Sequence, residues 1–232
     1  MNKHSDTIVF LLFPGLTVLD LIGPLEVFAS ANEYLGHPYR IAVAGETLAP
    51  VDTDTPVRLM PDVTLDEVSR PFGVIVPGGG RPALAAMGNR ALTGYLQEAA
   101  ERAEFVASVC TGALILAAAG LLESRRATTH WAYASILEKL GARYIPERWV
   151  EDGKFTTAAG VSAGIDMALA LLAKLAGEEV AKRTQLGIEY EPAPPLGGLD
   201  WSLVDRQQAG EIRLARAREA LAGDAELLRR LA

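Results

Sequence analysis

The chain alternates between unbroken apolar runs and segments whose apolar residues recur at helical spacing. Thr7-Ile8-Val9-Phe10-Leu11-Leu12-Phe13 is such a run. It predicts a strand buried on both faces of a parallel sheet. Pro14-Gly15 ends it. A helix is expected through Leu25 to Ala31, with Gly23-Pro24 as its first turn, because proline fits there. Tyr39 to Ala44 reads as a second strand, and Val57 to Met60 as an edge strand or hairpin arm. Gly73 to Val76 reads as a central strand, stopped by Pro77-Gly78-Gly79-Gly80. Asn89 to Glu101 has helical spacing at Leu92, Tyr95, Leu96 and Ala99. Glu104 to Val109 is another strand, and Gly112 to Ala119 a helix with Gly120 placed to close it.

The alternation continues. Arg126 to Thr129 reads as a short strand, and Ala132 to Leu140 as a helix ending at Gly141. Asp152-Gly153 between two short β-rich segments is a hairpin signal. Ala163 to Ala176 reads as a buried helix, and a further helix runs from Gly177 to about Leu186. Glu191 to Gly198 is a Pro/Gly-rich surface segment, and Val204 to Leu231 one charged amphipathic helix. The expected division is therefore a domain over residues 1–197 and a C-terminal extension over 198–232. Strands alternating with helices predict an α/β fold, a doubly wound, mostly parallel sheet with helices on both faces. Ligands in such sheets bind beyond the carboxyl ends of the strands.

Composition narrows the function. The chain has 232 residues, half of them apolar, enough for one large α/β domain or one domain with an appendage. A net charge of −7 argues against a nucleic-acid partner, which needs a basic face. A single cysteine excludes an intrachain disulfide. No segment reads as a signal peptide or a membrane span, so a soluble cytoplasmic protein is expected. No His/Asp/Glu cluster has metal-ligand spacing. Neither Gly-Lys-Ser/Thr nor Gly-x-Gly-x-x-Gly follows a strand. No metal or cofactor is expected.

Three motifs fall at strand ends. Cys110 lies between a strand and a helix, where the helix dipole and free N–H groups favour thiolate. That context alone also fits a small buried hydrophobe. Thr111 and Gly112 would supply N–H groups beside the sulfur, in the manner of a nucleophile elbow. Gly78 and Gly79 follow a central strand, where their N–H groups could approach a ligand as an oxyanion hole. Asp20, flanked by Leu19, Leu21 and Ile22, is expected to be desolvated. That raises a carboxyl pKa and suits it to acid/base work. The competing reading of Asp20 is helix capping with Thr17. Glu26 reads as solvated. His130 ends a short strand and is read as a supporting or structural histidine behind the site rather than as the base of a Cys–His dyad.

These residues resemble the ThiJ/PfpI superfamily, with its class I glutamine amidotransferase-like fold. The resemblance rests on Leu12-Phe13-Pro14-Gly15, on Leu19 to Phe28, and on Val76-Pro77-Gly78-Gly79. It continues through Val109-Cys110-Thr111-Gly112-Ala113, Arg126-Ala127-Thr128-Thr129-His130-Trp131 and Ala163-Gly164-Ile165-Asp166, collinear over residues 7–195. Within the superfamily the pattern is most similar to the isonitrile hydratases. AraC-type regulators share the same elements in their N-terminal domains. The resemblance implies a flavodoxin-like domain, a homodimer, Cys110 as nucleophile, Asp20 as its acidic partner and Thr111 as a functional threonine. Protease-like relatives have histidine directly after the cysteine, so Thr111 counts against peptidase activity. Pro194-Pro195-Leu196-Gly197 departs from the family's Pro-Pro-Phe-Asp.

The expected reaction is addition of water to a small-molecule isonitrile, through a Cys110 thioimidate, to give an N-substituted formamide. The alternatives are a thiol enzyme acting on reactive carbonyls such as methylglyoxal, and a ligand- or redox-sensing module without turnover.

Overall fold

The computed structural model describes residues 6–232. The first apolar run forms β1 (Thr7–Leu11), every residue of it buried. Then come α1 (Val18–Leu35), β2 (Arg40–Gly45), the short strands β3 (Val51–Asp52), β4 (Arg58–Leu59) and β5 (Val63–Thr64), and β6 (Gly73–Val76). Next are α2 (Arg81–Ala86), α3 (Arg90–Arg102), β7 (Phe105–Val109) and α4 (Gly112–Ala118). β8 (Arg126–Ala127), α5 (Ala134–Lys139), β9 (Arg143–Tyr144), β10 (Trp149–Asp152) and β11 (Phe155–Ala158) follow. The chain ends in α6 (Ala163–Ala176), α7 (Glu178–Gly187), α8 (Arg206–Ala220) and α9 (Ala225–Arg230).

Seven strands make the main sheet in the order β10-β11-β7-β6-β1-β2-β5. All neighbours are parallel except the β10–β11 hairpin, which turns at Gly153 in a left-handed conformation. The chain leaves β1 towards β2 and later returns on its other side as β6 and β7. The strand order therefore reverses between β1 and β6, the place where doubly wound sheets bind ligands. Gly73 sits in β6 directly opposite Phe105, and a Cβ there would overlap the Phe105 ring. Phe105 in turn stacks on Phe28 of α1. This pins the helix to the sheet.

Two helices differ from the sequence expectation. α1 begins at Val18, one turn and more before Gly23-Pro24, which lie inside it. The tight fit of α1 against α6 explains the pair. A Cβ on Gly23 would press on Ile165, and one on Gly164 would press on Pro24 and Val109. Small residues and a ring without an N–H let the helices approach at that level. The expected single helix over Val204–Leu231 is two helices, broken around Gly223, with Asp224 capping the second by accepting from Leu227 N–H. It is no surface appendage. Ala217, Leu221, Leu227 and Leu231 are buried in the common core, and Arg230 donates to the carbonyls of Ala117, Ala118 and Leu140. Among the described residues no helix is long and apolar enough to cross a membrane.

Candidate active site

Cys110 directly follows β7, and its backbone is left-handed, φ 57°. A non-glycine residue there carries strain of about 1–3 kcal/mol and persists only where its surroundings over-determine it. They do. The Cys110 N–H donates to both Ala158 O (3.1 Å) and Ala159 O (2.8 Å) at the end of β11. The Cys110 carbonyl accepts from Thr129 Oγ1 at 2.8 Å. The result is a sharp turn that swings the side chain out of the sheet towards α1. Gly112 lets the turn close, since a Cβ there would collide with the Val76 carbonyl.

Asp20 reaches the same place from α1. It is completely buried, although Leu19 and Ile22 beside it are exposed. Its desolvation comes from the face of the helix it occupies, not from its sequence neighbours. The capping reading does not hold. Thr17 makes no side-chain cap, and the first-turn N–H of Val18 is taken by Asp54 Oδ1 at 3.1 Å. Asp20 Oδ2 instead accepts from Gly78 N–H at 3.0 Å, across 58 residues of sequence. Oδ1 is buried without a hydrogen-bond partner. The Cys110 side chain lies close enough to shift the carboxyl's ionisation and to be shifted by it.

The glycine loop serves these two side chains. Gly79 and Gly80 N–H donate to Thr111 Oγ1, at 2.9 and 3.2 Å. With Gly78 N–H bound to Asp20, the Gly78 and Gly79 N–H groups expected to form an oxyanion hole are both occupied by protein acceptors. Their function here is to fix Asp20 and Thr111. A Cβ on Gly78 would lie 2.6 Å from Thr111 N and Oγ1 and 2.8 Å from Asp20 Oδ2. Only glycine leaves room for the three groups to converge.

Electrostatics follow from this dry packing. Burial raises the Asp20 pKa to about 7; the Gly78 N–H and the Cys110 side chain pull against it, and Asp54 adds to it. Burial also pushes the Cys110 thiol well up, helped by Asp20, while the N–H and hydroxyl of Thr111 stabilise the thiolate in part. Desolvation works against the thiolate that the helix end is expected to favour.

His130 stands apart from the thiol. Among the described residues no hydrogen bond or ion pair joins the two. His130 Nδ1 accepts from Ala132 N–H at 3.3 Å, and burial together with Arg213 lowers its pKa. Its link to Cys110 is indirect, through neighbouring Thr129. Glu26 is exposed on α1. Tyr133 is a site residue that sequence reading missed. It is buried, its hydroxyl lies 3.6 Å from where a Gly80 Cβ would be, and burial raises its pKa, with Arg213 opposing and the Cys110 charge adding to the rise. Nothing in Trp131-Ala132-Tyr133 marks it locally. Among the described residues no three His, Cys, Asp or Glu side chains are grouped to hold a metal ion.

Comparison with known proteins agrees with this geometry. The model of the DJ-1/PfpI family matches residues 6–174. The isonitrile hydratase of Pseudomonas putida is 41% identical over 186 residues, 80% of this chain and 79% of that protein. The HTH-type transcriptional regulator CdhR of Pseudomonas aeruginosa is 30% identical over 174 residues, 74% of this chain but 51% of the regulator. Among solved structures, a ThiJ/PfpI family protein from Pseudomonas syringae matches with TM-score 0.84 and 32% identity, covering 96% of this chain and 93% of that one. The likeness therefore runs beyond the family model into the C-terminal helices. The chain belongs to the DJ-1/PfpI family.

Proposed function

We propose that the protein is an isonitrile hydratase-like enzyme, adding water to an isonitrile to give an N-substituted formamide. The observation that carries the reading is the buried Asp20 carboxyl, with one oxygen unpartnered, facing the Cys110 thiol. The likeness to the Pseudomonas putida hydratase supplies the substrate class.

The chemistry needs one proton held between two groups. Asp20 as carboxylate takes the thiol proton. The sulfur then forms a bond to the isonitrile carbon, and Asp20 returns the proton to that carbon. The product is a thioimidate, R–N=CH–S–Cys110. Asp20, again a carboxylate, removes a proton from water as the water oxygen attacks the same carbon. Asp20 passes that proton to the imidate nitrogen, the C–S bond breaks as the remaining hydroxyl proton moves through Asp20 to sulfur, and R–NH–CHO leaves. A carboxyl with a pKa of about 7 suits both steps, because efficient acid/base groups titrate near the working pH. Thr111 orients the sulfur, its hydroxyl fixed by Gly79 and Gly80 N–H.

The test is a substrate panel with purified protein. Formamide from cyclohexyl isocyanide, abolished in Cys110→Ala, supports the reading. Lactate from methylglyoxal without formamide would assign the same thiol to reactive carbonyls. Ligand binding with no turnover of either would assign a sensing module, a role suggested by the regulator match.

A further inference from the structure

A cavity of about 440 Å³ opens beside the turn that holds Cys110. Its inner wall is the backbone that grips the cysteine. Thr129 lines it and donates to the Cys110 carbonyl, and Ala159 lines it and accepts from the Cys110 N–H. The outer wall comes from elsewhere in the sequence, the segment before α8, which brings Trp201 and Arg206 over the opening. That segment lies beyond the residues the family model matches.

Aromatic rings dominate the walls. The His130 and Trp131 ring centroids are 5.4 Å apart, and Trp131 meets Trp201 edge to face at 6.2 Å. Tyr144 adds a fourth ring and hydrogen-bonds Arg206, whose guanidinium sits 4.7 Å from the Trp201 ring centre. Gly160 leaves just enough space for the His130 ring, since a Cβ would come within 3.3 Å of it. Arg148 is bound to Asp166 at 2.6 Å, and Arg206 is held by Tyr144 and the Trp201 ring. Burial and Arg213 favour neutral His130. A site of this kind selects by shape and π-faces, not by charge.

We propose that this cavity binds an uncharged aromatic group. Taken with the reading of Cys110 as the reacting residue, that group is the nitrogen substituent of the isonitrile. Trp201 and Trp131 hold its ring while the isonitrile carbon is presented to sulfur.

The test compares a benzyl with a cyclohexylmethyl group, equal in carbon number but differing in π-face. Calorimetry measures N-benzylformamide and N-(cyclohexylmethyl)formamide binding to the full-length protein, and kinetics measure the two matching isocyanides. The benzyl compounds are expected to bind, and to show KM values, about tenfold better, as aromatic contacts of this kind allow. Trp201→Ala should erase the preference in both KM and formamide binding, and Trp201→Phe should keep most of it. Trp201 is 43% exposed, so its loss leaves the core intact. Equal binding of the two formamides, or a preference unchanged in Trp201→Ala, would overturn the proposal. If neither isocyanide is hydrated but the calorimetric preference persists, the isonitrile reading fails and the aromatic site stands. Hydration of both with equal KM is the reverse result.

Discussion

The two sides of Cys110 are built to opposite rules. On the sulfur side, Asp20, Thr111 and the Gly78–Gly80 loop pack so tightly that a single methyl group would not fit at residue 78. Almost every polar atom there has a protein partner, and the exception, Asp20 Oδ1, is the one the chemistry needs. On the backbone side, Thr129 and Ala159 grip the cysteine and at the same time line an open cavity walled by rings. Dryness on the first side raises both pKa values, so the thiol keeps its proton beside a carboxyl that titrates near neutral pH. Space on the second side is what a substituent of variable shape requires. The comparison assigns bond-making to one side and recognition to the other.

Substitutions on the sulfur side should break the reaction outright. Cys110→Ala should leave no measurable formamide production, because the covalent intermediate cannot form. Full activity in that variant would eliminate the thioimidate scheme. Asp20→Asn should lower kcat by about 10³-fold, within the range lost with a positioned acid/base group. Gly78→Ala should cost about 100-fold in kcat/KM by displacing Thr111 and Asp20, together with about 1–3 kcal/mol of stability from overpacking. Both are read from steady-state rates and denaturant melts. On the backbone side, His130→Ala should change kcat only severalfold, because no bond joins it to the thiol. A loss as large as that of Asp20→Asn would restore the Cys–His dyad.

The same comparison predicts two pH dependences. A doubly protonated pair has no base to accept the thiol proton. The rate should therefore rise as pH passes through about 7, the Asp20 pKa. It should then hold on the alkaline side, since the thiol is pushed well up. For stability, the folded-state pKa of Asp20 is raised from 3.8 to about 7, so the folded protein binds more protons than the unfolded chain between those values. Stability should fall as pH rises across that window, by up to ~4 kcal/mol from this one group. Asp20→Asn should flatten that fall in urea melts at pH 5 and pH 8. An equal slope in both proteins would mean that Asp20 is not buried as described.

Sequence made the strands and the chemistry-bearing residues legible, because buried parallel strands are continuous apolar runs and functional turns sit at their ends. β1, β6, β7 and α6 lie where the pattern put them. What it hid was non-local. Asp20 has capping spacing with Thr17, yet its true partner, Gly78, is 58 residues away. The glycine loop offers N–H groups in any reading. Only the fold reveals that Asp20 and Thr111 already use them. Gly23-Pro24 marks a helix start by local rules, but helix packing against α6 overrides them. Trp201 joins the ring-lined cavity only because the C-terminal segment folds back across it.

The central claim is that a buried Asp20 carboxyl titrates near neutral pH beside a Cys110 thiol that burial keeps protonated. Infrared difference spectra of the wild type minus Asp20→Asn, recorded across pH, test it most directly. The account predicts a protonated-carboxyl band that disappears with a midpoint near pH 7. The S–H band of the single cysteine should persist and shift as Asp20 ionises. A carboxyl band lost near the ordinary aspartate value of about 4, with an S–H band indifferent to it, would contradict the account.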